Sequence, residues 1–98
     1  MVQIKWTQTA RMDLCAIHEY IAKDSKKYAK LEVQKIQSRT QLLKNRPLSG
    51  RKVPEINNVD IREIIEGRYR IIYKLIDTHR IDILTIHHAA RDLNKINL

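Results

Sequence analysis

The chain has 98 residues, 43% of them hydrophobic, with only two glycines and two prolines; that describes one domain with a modest core and argues against a linker or a disordered tail. Nineteen Lys and Arg against eleven Asp and Glu give a net charge of +8, which attracts polyanions: nucleic acid, an anionic membrane or an acidic protein segment. No run approaches the ~20 apolar residues of a membrane span, and the single cysteine, Cys15, excludes an internal disulfide.

Val2, Ile4 and Trp6 alternate with Gln3 and Lys5, the pattern of a short strand with one apolar face. This start turns polar too soon for a signal peptide, so a cytoplasmic location is expected. Thr7 or Thr9 offers a hydroxyl to begin a helix. Ala10, Leu14, Ile17 and Ile21 then fall on one face of an amphipathic helix running to about Lys23. Cys15 lies within it as a small helical residue; a catalytic thiol would need a histidine base held close, and no pattern shows one. Asp24 and Ser25 break the periodicity and cap a second helix. Its stripe is Ala29, Val33, Ile36, Thr40 and Leu43, with Lys26, Lys27, Lys30, Lys35, Arg39 and Lys44 on the other faces as a solvated surface. Pro47 ends it, since proline disfavours helical geometry in the residue before it. So short a break between two helices implies a helical hairpin.

From Pro47 to Asn58 the chain reads as loop. Three β-rich segments follow, Val59 to Glu66, Arg68 to Asp77 and Arg80 to His87, separated by Gly67 and by Asp77-Thr78-His79. Connections this short force antiparallel neighbours. In the second segment Tyr69, Ile71, Tyr73 and Leu75 share one face and Arg70, Ile72, Lys74 and Ile76 the other. Both faces are partly apolar, so helices cover one and the other is partly exposed. Leu84, Ile86 and His88 are expected on one face of the last strand. Ala89 to Ile96 is a short closing segment with helical potential. The expected architecture is α+β, a single domain over residues 1–98 in the order β-α-α-β-β-β, with a helical hairpin packed on a small antiparallel-dominated sheet.

Several segments, in order, resemble the RelE/ParE superfamily of toxins from type II toxin–antitoxin systems, and its ParE-like members most. Trp6-Thr7, Ala10, Asp13-Leu14, Ile17 and Tyr20-Ile21 resemble the opening of ParE-type toxins. Pro47, Gly50-Arg51 and Val53-Pro54-Glu55 resemble their central loop. Ile61-Arg62-Glu63 and Tyr69-Arg70-Ile71-Ile72-Tyr73 resemble two of their strands, and Ile83-Leu84 with His88-Ala89-Ala90-Arg91 resembles the close. The resemblance implies the same β-α-α-β-β-β fold. It implies a cognate antitoxin that folds on binding as it wraps the toxin, and an acidic wrapping segment would suit so basic a chain. It also implies one of two targets: DNA gyrase, poisoned without cleavage in ParE-like members, or mRNA on the ribosome, cut by RelE-like members. A binding module without toxicity is the third possibility.

Cleavage through a 2′-hydroxyl needs a base, cations for the phosphorane and an acid for the leaving oxygen. The resemblance places a general base at Glu55 and a phosphate-binding arginine at Arg70. For the acid, the resemblance leaves His88 or His87, either of which a slip of register could bring to the site, because histidine can act as an acid near neutral pH; the alternative for His88, on an apolar strand face, is a hydrogen-bonded core residue. Ribonuclease members often close on a His-Tyr pair; this chain has His87-His88-Ala89-Ala90-Arg91 instead, which favours the gyrase-poisoning type. Arg51, Arg62, Arg70 and Arg91 are the candidate target-binding residues. The alternative for Arg62 and Arg70 is a structural ion pair with acids such as Glu63 or Glu66. The histidines at 18, 79, 87 and 88 show no ligand spacing and there is no cysteine pair, so neither metal nor cofactor is expected.

Overall fold

A computed structural model describes residues 2–90 of the chain. In chain order these form β1 (Gln3–Trp6), α1 (Gln8–Ala22), α2 (Lys26–Gln41) with a 3-10 turn at Leu42–Lys44, β2 (Arg51–Lys52), β3 (Ile61–Glu66), β4 (Tyr69–Asp77) and β5 (Arg80–His88). The strands make one sheet in the order β1-β5-β4-β3-β2. β1 runs parallel to β5 and every other pairing is antiparallel. This is the α+β fold expected, a helical hairpin on an antiparallel-dominated sheet.

Local chemistry sets the helix starts. The hydroxyl of Thr7 accepts the amide of Ala10 at 3.1 Å, and that of Ser25 accepts the amide of Tyr28 at 3.2 Å, each satisfying a donor that the first helical turn leaves unpaired. The helix stripes then meet the sheet: Ala10, Ile36 and Leu43 pack with Ile64, Ile71, Tyr73, Ile81, Ile83 and Ile86. Each aliphatic side chain so buried contributes about 1.5–3 kcal/mol. On the opposite face of the sheet a second, smaller cluster joins Val53, Ile61 and Ile72 to the flanking Ile56 and Leu84. The residues after β2 therefore cover part of that face. Gly67 sits at φ +58°, first of the two residues between the paired Glu66 and Tyr69, where a tight hairpin demands a positive φ.

The structure departs from the sequence expectations at five places. α2 stops at Gln41 rather than reaching Pro47, and the chain tightens into the 3-10 turn, which keeps Leu43 fully buried. The stretch expected to be all loop contains β2, held by pairing with Arg62 and Glu63 of β3; two residues are too few to show alternation. β3 begins at Ile61, leaving Val59 largely exposed, and β5 extends one residue further, to His88. Finally, the register of β4 against β5 shifts between Ile72↔Thr85 and Tyr73↔Ile83. Leu84 is the extra residue, and this bulge sends it to the smaller cluster while Ile86 stays under the helices. Leu84 and Ile86 therefore do not share a face. Of the closing segment, Ala89 and Ala90 form a turn, and the rest lies outside the described residues.

Candidate functional site

The sheet face turned away from the helices carries a charged cluster centred on Arg70, in the middle of β4. Cross-strand partners share a face, so Arg70 stands with Ile65 of β3 and His87 of β5, its register neighbours. Its guanidinium is almost completely buried, a cost that pairing must offset. Two carboxylates do so. Glu55, just past β2, receives Nη1 at 2.7 Å and Nη2 at 2.8 Å, a bidentate pair. Glu63, from β3, receives Nε at 2.8 Å and Nη2 at 2.5 Å. The second oxygen of Glu63 accepts Nε of Arg51 at 2.6 Å. The Glu63 side chain is wholly buried, whereas that of Arg51 is 66% exposed. Hydrogen bonding to Glu55, opposed by desolvation and reinforced by Glu63, holds the Arg70 guanidinium above its ordinary pKa, so it is a permanent cation.

Beside Arg70 runs a second polar chain. The pairing of β1 with β5 ends at Ile83, and past it α1 supplies partners to β5. Thr7 takes the bulge: its single hydroxyl proton is shared between the carbonyls of Ile83 and Leu84, 2.9 and 3.0 Å away. One and a half turns later, Asp13 accepts the amide of Ile86 at 3.0 Å through Oδ2, and the same oxygen accepts the hydroxyl of Thr85. The Thr85 Oγ1 lies 2.9 Å from Nε2 of His87.

The structure thus brings Glu55, Arg70 and Arg51 together. It puts Arg62 elsewhere: paired with Tyr73, this residue lies on the helix side and donates Nη1 to the carbonyl of Gly50 at 3.0 Å. His88 also lies on the helix side, opposite Tyr69, with ring centroids 6.1 Å apart in an edge-on contact. It borders a cavity of about 350 Å³ with Tyr20, Arg68 and Tyr69. His87, not His88, stands on the Arg70 face. Arg91 lies outside the described residues. The alternation of Ile81 and Ile83, followed by Leu84 and Ile86, shifts phase by one residue, and that shift is the sequence signal for the bulge and for the face of His87. Glu63 was visible as an acid near Arg70; its complete burial was not. Asp13 is distant in sequence, and only the path of α1 along β5 brings it here. Among the described residues no group of three or more His, Cys, Asp or Glu side chains could hold a metal ion, and no helix is long and apolar enough to cross a membrane.

The sequence from residue 4 to 93 matches the family described as the ParE toxin of the type II toxin–antitoxin system parDE. The chain belongs to the ParE toxin family. Solved structures agree on the fold. A chain of the chromosomal ParDE toxin–antitoxin system from P. aeruginosa is 24% identical, with a TM-score of 0.72, covering 90% of this chain and 96% of that one. A chain of the RelBE2 toxin–antitoxin complex from Mycobacterium tuberculosis is 22% identical, with a TM-score of 0.65, covering 89% of this chain and 96% of that one. At such identities the likeness speaks for the ParE/RelE fold, which hosts more than one activity. No curated protein matches the chain.

Proposed function

We propose that this ParE-family chain is the toxin of a type II toxin–antitoxin pair, arresting growth in the cytoplasm by binding DNA gyrase rather than by cutting RNA. One observation carries the choice of target. Both oxygens of Glu55, the candidate base, are engaged by the guanidinium of Arg70, and Glu63 completes the enclosure. A base must turn an oxygen to the hydroxyl it deprotonates, and a phosphate-binding arginine must turn its N–H groups to phosphate. Here the two side chains satisfy each other. The cluster reads as a rigid support for a binding surface, with Arg51 exposed at its rim.

A cognate antitoxin completes the proposal. The family and the two similar toxin–antitoxin structures support such a partner, and the charge of +8 favours an acidic segment. The proposed seat is the helical hairpin and the adjoining sheet edge, where β2 pairs only with Arg62 and Glu63 and leaves the end of β3 uncovered.

The second reading is ribosome-dependent mRNA cleavage. It is favoured by the place of His87, the cross-strand neighbour of Arg70, which would supply the acid for a base at Glu55. The deciding experiment sets the purified chain against gyrase in a supercoiling assay and, in parallel, against mRNA on programmed ribosomes. Loss of supercoiling with intact mRNA is expected. Cut mRNA with unimpaired gyrase would overturn the proposal, and failure in both assays with no growth arrest would leave a non-toxic binding module.

A further inference from the structure

The chain Asp13–Thr85–His87 has a direction that the proton count fixes. Oδ2 of Asp13 accepts the backbone amide of Ile86, so it is an acceptor atom, and the Thr85 hydroxyl at the same oxygen must donate to it. A threonine hydroxyl has one proton. With that proton given to Asp13, Oγ1 can meet Nε2 of His87, 2.9 Å away, only as an acceptor. Nε2 must then carry a proton. The neutral ring is the Nε2–H tautomer, with its lone pair on Nδ1.

We propose that Asp13 and Thr85 are positioning residues that hold His87 in the Nε2–H tautomer beside Arg70. The inference rests on taking the Arg70 face as the target-binding face, and it assigns α1 a part in preparing that face. An orienting partner on one imidazole nitrogen decides the role of the other. The bulge at Leu84 is what makes this possible. It places Thr85 and His87 on one face while leaving the edge of β5 open to Asp13.

The test is spectroscopic and needs no knowledge of the target. In the isolated chain labelled with ¹⁵N, above the pH at which the ring titrates, long-range ¹H–¹⁵N correlation reads the His87 tautomer. The wild type is expected to show protonated Nε2, with its ring N–H protected from exchange. Thr85→Ser should preserve the signal. Thr85→Val removes the acceptor, and ring N–H exchange should quicken by roughly tenfold, the equivalent of one hydrogen bond. Asp13→Ala frees the Thr85 hydroxyl to donate to Nε2 and should move the ring proton toward Nδ1. A proton on Nδ1 in the wild type would overturn the proposal by itself, whether or not the variants fold. So would an unchanged, protected Nε2–H in a folded Thr85→Val. Growth arrest is scored separately: protected Nε2–H in a non-toxic chain leaves the tautomer assignment standing and removes the target reading, whereas Nδ1–H in a toxic chain does the reverse.

Discussion

Glu63 accepts from two arginines at once and its side chain has no exposure. Removing one partner of a buried pair leaves an uncompensated charge, so Glu63→Gln should destabilise the fold by about 3 kcal/mol or more. Arg51→Ala, which breaks the exposed arm of the same cluster, should cost less than about 1 kcal/mol. Urea denaturation of the two variants measures the difference, and equal losses would mean the cluster is not the unit described. Glu55→Gln belongs to function. Gln keeps the shape and loses the proton acceptor, so a cleaving enzyme would slow by roughly 10²–10⁴-fold. A gyrase poison should lose at most a modest part of its affinity, and that is the expected result in the paired assays. At this scale the sequence was partly legible. Glu55 and Arg70 could be named from the motifs around them. His87 could not be preferred to His88, because strict alternation carries a face assignment straight through a bulge and so misplaces every residue on one side of it.

The segment between α2 and β3 is held by a clasp. The buried phenol of Tyr73 donates to the carbonyl of Pro47 at 2.9 Å and accepts the amide of Gly50 at 3.0 Å. Gly50 has no room for a side chain: a Cβ there would lie 2.5 Å from the Tyr73 oxygen and 2.6 Å from the carbonyl oxygen of Glu63. Gly50→Ala should therefore force the backbone away from β3 at a cost of about 1–3 kcal/mol, read as a drop in melting temperature. Tyr73→Phe removes both hydrogen bonds and leaves buried backbone groups unpaired, for a similar loss of about 1–3 kcal/mol near neutral pH. Burial raises the Tyr73 pKa above its ordinary value. A raised folded value means this contribution is complete below the unfolded pKa of about 10 and is lost as pH rises through the folded one. Above pH ~10 the stability of Tyr73→Phe should thus fall less steeply than that of the wild type. Parallel decline of the two would exclude Tyr73 as a source of alkaline unfolding. The helices and the three longer strands were readable because each repeats its period several times. β2 was not, since it is created by tertiary contacts, the Tyr73 clasp and the Arg51–Glu63 pair, rather than by any pattern of its own.

Among the described residues, the ion pairs around Arg70 set two arginines against two glutamates. The surplus charge lies elsewhere, much of it on α2, where Lys26, Lys27, Lys30 and Lys35 are all exposed. Charge of this kind acts through its summed field and not through single contacts. Association with an acidic antitoxin segment should accordingly slow and weaken as salt rises, because the Debye length shrinks from about 10 Å at 0.1 M to about 3 Å at 1 M. Lys30→Ala removes one of several like charges and should change that affinity little. Arg70→Ala does something different in kind. It removes the cation that Glu55 and Glu63 share and leaves Arg51 on Glu63, so it should unsettle the face even though it barely alters the field. Calorimetry against the antitoxin at low and high salt, with circular dichroism to confirm folding, separates the two contributions. A salt-dependent affinity, unmoved by Lys30→Ala, is expected. An affinity indifferent to salt would assign the recognition to apolar contacts, such as the exposed Leu31 and Leu42 along α2 and its 3-10 extension, and would remove the charge of the chain from its account.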